Sequence, residues 1–520
     1  MSSTFTSTTA AAAVAADGED QNTAQKRLVL VGGGHAHAQV IKALKHRPES
    51  IHVTLIDRQM AASYSGMVPG CIADIYTPQE TLLELAPLAK HLDHFHQATV
   101  VDIDLKQQVL HIVPQDVARR SGENSNGEND DPTISSDETR YLLQSTPKDQ
   151  TQTIPFDVLS LDIGSTSRGW RTIPGAKQYT LPTRPISNLV RQFQRWTQDI
   201  ELQPRPIHVV IIGAGAAGIE LSMSIYGRWK DLNADLKITL LNQDMQLLTE
   251  ETDWCRWKLQ SLLQQRNIHV IHNCTVQEVT QDAVIATNQD SIAYTHCVWS
   301  TGAEAHDLEL HPLECTDRGW IKVTSALQST SHPNVFAAGD CCHIVDGDAP
   351  PKAGVYAVRA GPVLSHNLMQ ACTTSSATTT LQSYEPQTDF LKLLVCGDGK
   401  ALGFRFGIPL HGKWVMQLKD HIDQQFMDYI RMDEDRDATK QYDDDASRNA
   451  LQRMDARDAA ELLLTEDDGD DGDNDVDYLV AWHALREMVK DASYKQEVLD
   501  HVHEIGAARM DSLKGNAVTA

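Results

Sequence analysis

Two glycine-rich turns are the residues most able to do chemistry. The first, Gly32-Gly33-Gly34-His35-Ala36-His37, follows the apolar run Leu28–Val31 and opens a helical pattern. A strand, a glycine turn and a helix N-terminus make a seat for a pyrophosphate. The first glycine permits the tight turn, the second lets the backbone approach the phosphates, and the helix dipole favours their charge. Asp57 ends the next apolar run, Ile51–Asp57, where ribose hydroxyls need an acceptor. His37 stands where a third glycine is expected, so helix–strand packing there needs another solution. The second turn, Gly213-Ala214-Gly215-Ala216-Ala217-Gly218, keeps all three glycines in register after Val209–Ile212. Its following strand, Leu236–Leu241, ends in Asn242-Gln243, with Asp244 beyond. That end offers neither an acid for a ribose nor an arginine for a 2′-phosphate, which leaves the dinucleotide's identity open.

Two such turns in one chain predict two dinucleotide sites, and electron transfer is the reason to pair them: one holds a flavin, the other admits a nicotinamide. A third segment, Thr330-Ser-His-Pro-Asn-Val335-Phe-Ala-Ala-Gly339-Asp340, is a turn and a short apolar strand ending in Gly-Asp. It resembles the second flavin signature of the FAD-dependent pyridine nucleotide-disulfide oxidoreductase superfamily. The resemblance implies FAD as cofactor and Asp340 as acceptor for its ribityl chain. Leu161-Asp-Ile-Gly164-Ser165 and Val298-Trp-Ser-Thr301-Gly302 resemble the superfamily's two crossover signatures, placing Gly164 and Gly302 among the cofactor-binding residues and the flavin domain around the nicotinamide domain.

Within the superfamily, Gly32–His37, Tyr64–Gly70, Leu161–Ser165, Pro350–Pro362 and Phe390–Phe426 resemble the oxidoreductase module often fused to selenophosphate synthetase, and are similar to type II NADH dehydrogenases. Nothing after residue 430 resembles the synthetase. By this resemblance Glu220 lies beside nicotinamide and flavin, where it orients the carboxamide or relays a proton; the alternative is a structural acid in a helix's first turns. Lys352 and Ala353, at the start of a helix predicted over Ala353–Met369, pass under the pyrimidine end of the flavin. The superfamily's disulfide reductases carry a C-x-x-x-x-C pair, but only Cys71 stands in the corresponding region, and none occurs between Cys71 and Cys255. A dithiol relay needs two thiols within bonding reach. Cys341 and Cys342 read as packing residues.

The elements that must position these residues give an α/β class: two Rossmann-like dinucleotide-binding domains, a small C-terminal α+β module and an acidic tail. The expected divisions are a disordered tail over 1–25, a first FAD-binding part over 26–204 with a disordered insertion over 114–153, and an NAD(P)-binding domain over 205–301. A second FAD-binding part over 302–372, a module over 381–432 and an acidic extension over 433–520, with a terminal helix over 478–504, follow. The chain of 520 residues has a net charge of −26, which argues against nucleic acid as a partner. Residues 431–520 alone carry 24 acidic against 11 basic side chains. No metal-binding pattern is found, and no apolar run approaches the roughly 18 residues of a transmembrane helix. Lys413–Met432 reads as an amphipathic helix with Asp420, Asp423 and Asp428 on its polar face, docked on the protein's own core or on a second subunit. Nine cysteines without a short framework suit a reducing, cytoplasmic setting, with an organellar or peripheral-membrane location as the alternative. The chain therefore reads as an FAD-dependent oxidoreductase that passes hydride from NAD(P)H to flavin and electrons to an unidentified acceptor, without a redox disulfide. The alternatives are a peripheral NADH:quinone oxidoreductase and a flavin- and NAD(H)-binding regulatory protein of little turnover.

Overall fold

The computed structural model describes residues 25–122, 142, 144–148, 150–233, 235–287, 289–306, 313–373, 380–387, 390–431, 482 and 507–508. The expected N-terminal tail, apart from Gln25, most of the 114–153 insertion and nearly all of the acidic extension with its 478–504 helix lie outside the described residues.

The chain opens with β1 (Lys26–Val31), α1 (His35–Ala43), β2 (Ile51–Asp57), a hairpin of β3 (His94–Asp104) and β4 (Val109–Pro114), then β5 (Gln152–Pro155) and β6 (Val158–Leu161). After α2 (Ile186–Leu202) come β7 (Ile207–Ile212), α3 (Ala216–Trp229), β8 (Leu236–Leu241), β9 (Ile268–Ile271) and β10 (His296–Trp299). The short β11 (Val335–Ala337) and long α4 (Gly354–Thr373) precede a last unit of β12 (Lys392–Val395), β13 (Ala401–Arg405), β14 (Ile408–Gly412) and α5 (Lys413–Arg431).

The first sheet runs β11-β6-β1-β2-β3-β4-β5, parallel from β11 to β3. The second sheet, parallel throughout, runs from a two-residue strand at Leu181–Pro182 through β10-β7-β8-β9. β11 joins the first sheet although it follows the whole second sheet in sequence. The uninterrupted apolar runs are explained by burial on both faces: Leu28, Leu30, Val53, Leu55, Leu159 and Phe336 are fully buried in one core, Val209 and Leu240 in the other. Each such side chain contributes about 1.5–3 kcal/mol over leaving it exposed.

The insertion departs from expectation at its edges. A helix follows β4 at once (Gln115–Gly122), Leu142 packs with Val101 and Val113 of the hairpin, and Thr146 is buried. In the tail, Trp482 is buried, its ring 6.5 Å from that of Phe406 between β13 and β14. That residue departs from a wholly solvated extension.

The predicted amphipathic helix is α5, and its apolar face docks on the chain's own core through Trp414, Val415, Leu418, Phe426, Met427 and Ile430. Asp423, expected on the polar face, is instead buried at 4% exposure. Lys419, one turn before it, supplies the countercharge: its Nζ donates to Asp423 Oδ2 at 2.7 Å and to the Gly66 carbonyl at 2.6 Å. Asp423 Oδ1 accepts from Tyr64 Oη at 3.1 Å. The last unit seats on α3 at a close backbone approach, where a Cβ on Gly227 would stand 1.8 Å from the Gly397 carbonyl oxygen.

Candidate functional site

A cavity of about 740 Å³ lies along the C-terminal ends of β1, β2, β6 and β11 and extends to α3. That is the edge at which open parallel sheets receive ligands. Of the residues predicted from sequence, Gly32, Gly33, Gly34, His35, Asp57, Gly164, Glu220, Gly339, Asp340 and Ala353 line it. Gly213, Gly215, Gly218, Gly302 and Lys352 do not.

The first turn forms as β1 requires. Gly32 has φ +90°, and a Cβ there would stand 2.2 Å from the Asp162 carbonyl oxygen, so only glycine fits. The missing third glycine is replaced by a bonded imidazole: His37 is buried with Nδ1 2.6 Å from the Gly32 carbonyl and Nε2 2.8 Å from Ser160 Oγ. Burial lowers its pKa to about 4, so it is neutral at pH 7. Asp57 accepts from the Gly33 amide at 2.6 Å and the Gln59 amide at 2.7 Å, while burial pushes its carboxyl above the usual range.

Sequence reasoning missed Asp162. This buried carboxylate accepts from the amides of Ala36 and His37 at 3.0 and 3.1 Å, capping α1 from the end of β6. Burial raises its pKa to about 6, with those hydrogen bonds opposing the shift and nearby Asp340 adding to it. The signal was present: an acid inside the apolar run Leu159–Ile163 needs buried donors. Gly33, Ala36 and His37 thus have acceptors, whereas the amides of Gly34 and His35 have none among the described residues. His35 Nε2 is buried and unpaired as well. Asp340 accepts from Ser165 Oγ at 2.8 Å and lies 3.7 Å from Arg184 Nη2.

FAD fits these residues. The volume lies in the range of about 300–1,000 Å³ usual for cofactor sites, two unpaired amides at a helix N-terminus suit a diphosphate, and Asp57 and Asp340 offer acceptors for hydroxyls.

Lys352 is held by other groups. It lies outside the cavity: its Nζ donates to the Cys342 carbonyl and sits 4.6 Å above the Trp320 ring. A carbonyl and a π face already satisfy the ammonium, and the backbone of Ala353 and Gly354 takes the place on the cavity wall.

The second turn repeats the first. Gly213 has φ +106° and its amide donates to the Leu241 carbonyl, as Gly32 does to Ile56. A Cβ on Gly218 would stand 1.9 Å from the Gly213 carbonyl oxygen, whereas one on Gly215 meets nothing within 4 Å. Gly213 and Gly218 serve packing, and Gly215 leaves open space at the N-terminus of α3. Gly302 accepts from the Arg168 amide at 2.8 Å, where the chain returns from the second sheet.

Glu220, one turn into α3, closes the far end of the cavity. Its Oε1 accepts from the Val395 amide of β12 at 2.8 Å. Burial raises its pKa to about 7, against the pull of Lys419. No cysteine is among the described residues that line the cavity. All nine are free; burial pushes the Cys71 thiol up to about 11 and Cys342 to about 12.

Residues 26–371 match the family described as pyridine nucleotide-disulphide oxidoreductase. The chain belongs to that family. It is an NAD(P)H-dependent flavoprotein oxidoreductase, with FAD and NAD(P)H as its cofactors. It is 21% identical over 384 residues to the type II NADH:quinone oxidoreductase of Haemophilus influenzae, covering 67% of this chain and 79% of that one. Among solved structures it resembles NDH2 from Plasmodium falciparum in complex with NADH, at TM-score 0.60 and 13% identity over 79% of this chain and all of that one. It also resembles the sulfide:quinone oxidoreductase of Aquifex aeolicus, at TM-score 0.60 and 15% identity over 78% and 91% of the two chains. These two likenesses show the fold alone. No helix among the described residues is long and apolar enough to cross a membrane.

Proposed function

We propose that the nicotinamide dinucleotide seats on the Gly213–Gly218 turn, the flavin in the cavity, and that electrons leave for the acceptor without a thiol relay. FAD, when bound, accepts hydride from the nicotinamide and releases electrons to a second substrate. The observation that carries this reading is the cavity's course: it runs from the first glycine turn to Ala217, Glu220 and Leu221 on α3, and no described lining residue is a cysteine. One helix thus borders both sites. Its N-terminus at Gly215 faces open space, and Glu220, one turn on, reaches the flavin cavity. Glu220 holds a proton at the cavity wall below about pH 7 and carries charge above it, which suits a group that moves a proton near the reacting rings. The cysteines near the superfamily's usual position or beside Asp340 have raised pKa values, the wrong direction for nucleophilic thiolates. Anaerobic addition of NADH or NADPH to the yellow holoprotein tests the reading: bleaching of the flavin supports it, and a flavin unchanged by either refutes it.

A second reading names the acceptor as a quinone. It is supported by the Haemophilus relative and by the apolar walls near Glu220, where Val68, Pro69, Ile186, Leu189 and Leu221 line the cavity. Quinone-dependent oxidation of NAD(P)H checks it.

A further inference from the structure

In a strand–turn–helix dinucleotide site, the residue that ends the second strand meets the adenosine ribose. Gly32 donates to the carbonyl of Ile56 and Gly213 to that of Leu241, so the following residues, Asp57 and Asn242, are equivalent. The two side chains are held differently. Asp57 spans backbone amides with its carboxylate, including that of Gly33 in the turn. Asn242 turns its Nδ2 into its own loop, 2.9 Å from the carbonyls of both Asp244 and Gln246 and 3.1 Å from His272 Nδ1. Two carbonyl oxygens at that distance can face only the NH2 group, so the amide cannot be flipped. Oδ1 is left as an acceptor with no partner among the described residues. Asp244 adds an acid two residues on, while the later acids Glu250, Glu251 and Asp253 are paired with Lys392 and Arg256.

Resting on the placement of the nicotinamide dinucleotide at this turn, we infer that Asn242 is a specificity-determining residue that selects NAD(H) over NADP(H). Its fixed Oδ1 accepts from the 2′-hydroxyl of the adenosine ribose. A 2′-phosphate has no proton to give at neutral pH and would bring its charge against that oxygen and the neighbouring Asp244. A site built to accept a hydroxyl proton discriminates against a group that cannot supply one.

Calorimetric titration of the oxidised holoprotein with NAD+ and with NADP+ tests this without turnover. NAD+ binding at least about tenfold tighter, roughly one well-made hydrogen bond, is the expected result. Asn242→Ala should weaken NAD+ by about the same factor with little change for NADP+. Gln243 is exposed, so Gln243→Arg keeps the test alive if the alanine variant does not fold; it should tighten NADP+ by about tenfold through a new phosphate contact. Equal or tighter binding of NADP+ by wild type, or equal loss of both ligands in Asn242→Ala, overturns the inference and leaves the oxidoreductase reading intact. Binding of neither ligand by flavin-loaded protein overturns the placement of the nicotinamide and this inference with it.

Discussion

Asp162 and Glu220 are the two buried acids whose titration the site can report. The ordinary carboxyl value of Asp162 is 3.8 and its folded value about 6. The fold therefore holds this proton more tightly than the unfolded chain does. The resulting stabilisation is present below the unfolded value and is lost as pH rises through about 6, up to about 3 kcal/mol in all. Asp162→Asn should accordingly stabilise the apoprotein at pH 8, and the advantage should shrink towards pH 4. Urea unfolding across that range checks this, and an advantage independent of pH would show that the carboxyl does not titrate as described. Glu220 shifts from 4.5 to about 7, so turnover should carry an inflection near pH 7 that disappears in Glu220→Gln. An inflection that persists in that variant would assign it elsewhere. Asp340→Ala should lower flavin occupancy, read as the ratio of flavin to protein absorbance, because it removes a cavity acceptor and the partner of Ser165 Oγ.

The two glycine turns show how much an element's sequence reveals. In the second, all three glycines were legible, and the structure separates their duties. A Cβ at Gly218 would stand 1.9 Å from backbone, whereas one at Gly215 meets nothing within 4 Å. Gly218→Ala should therefore destabilise the protein by several degrees in Tm. Gly215→Val should leave Tm and flavin content near wild type yet abolish flavin reduction by NAD(P)H. Unimpaired reduction in Gly215→Val would move the nicotinamide to another site. The first turn was legible as a strand, a loop and a helix, but not in how it closes. The His37 imidazole bridges Gly32 and Ser160, and Asp162 caps α1; Ser160 lies in β6 and Asp162 just after it, more than 120 residues away and beyond the reach of local pattern. The partners of Lys352 were illegible for the same reason: the Cys342 carbonyl and the Trp320 ring reach its ammonium only through tertiary position. The amphipathic period of α5 identified its apolar face, while the burial of Asp423 depended on Lys419 and on Tyr64, the latter from a distant segment.

At the scale of the whole molecule, two parallel sheets are joined so that α3, which opens on the second glycine turn, also borders the cavity beside the first. The last unit completes the wall by donating the Val395 amide to Glu220 and burying the Lys419–Asp423 pair behind it. This arrangement requires the nicotinamide and flavin rings to meet at about 3–3.5 Å for transfer, and it requires no thiol. The central claim is thus that electrons stop at the flavin before leaving the protein. Anaerobic titration with dithionite tests it most directly, comparing wild type with a variant in which Cys71, Cys341 and Cys342 are all changed to alanine. The account predicts that two electrons per FAD complete the reduction in both proteins. Uptake of four by wild type and two by the variant would establish a dithiol relay and contradict it.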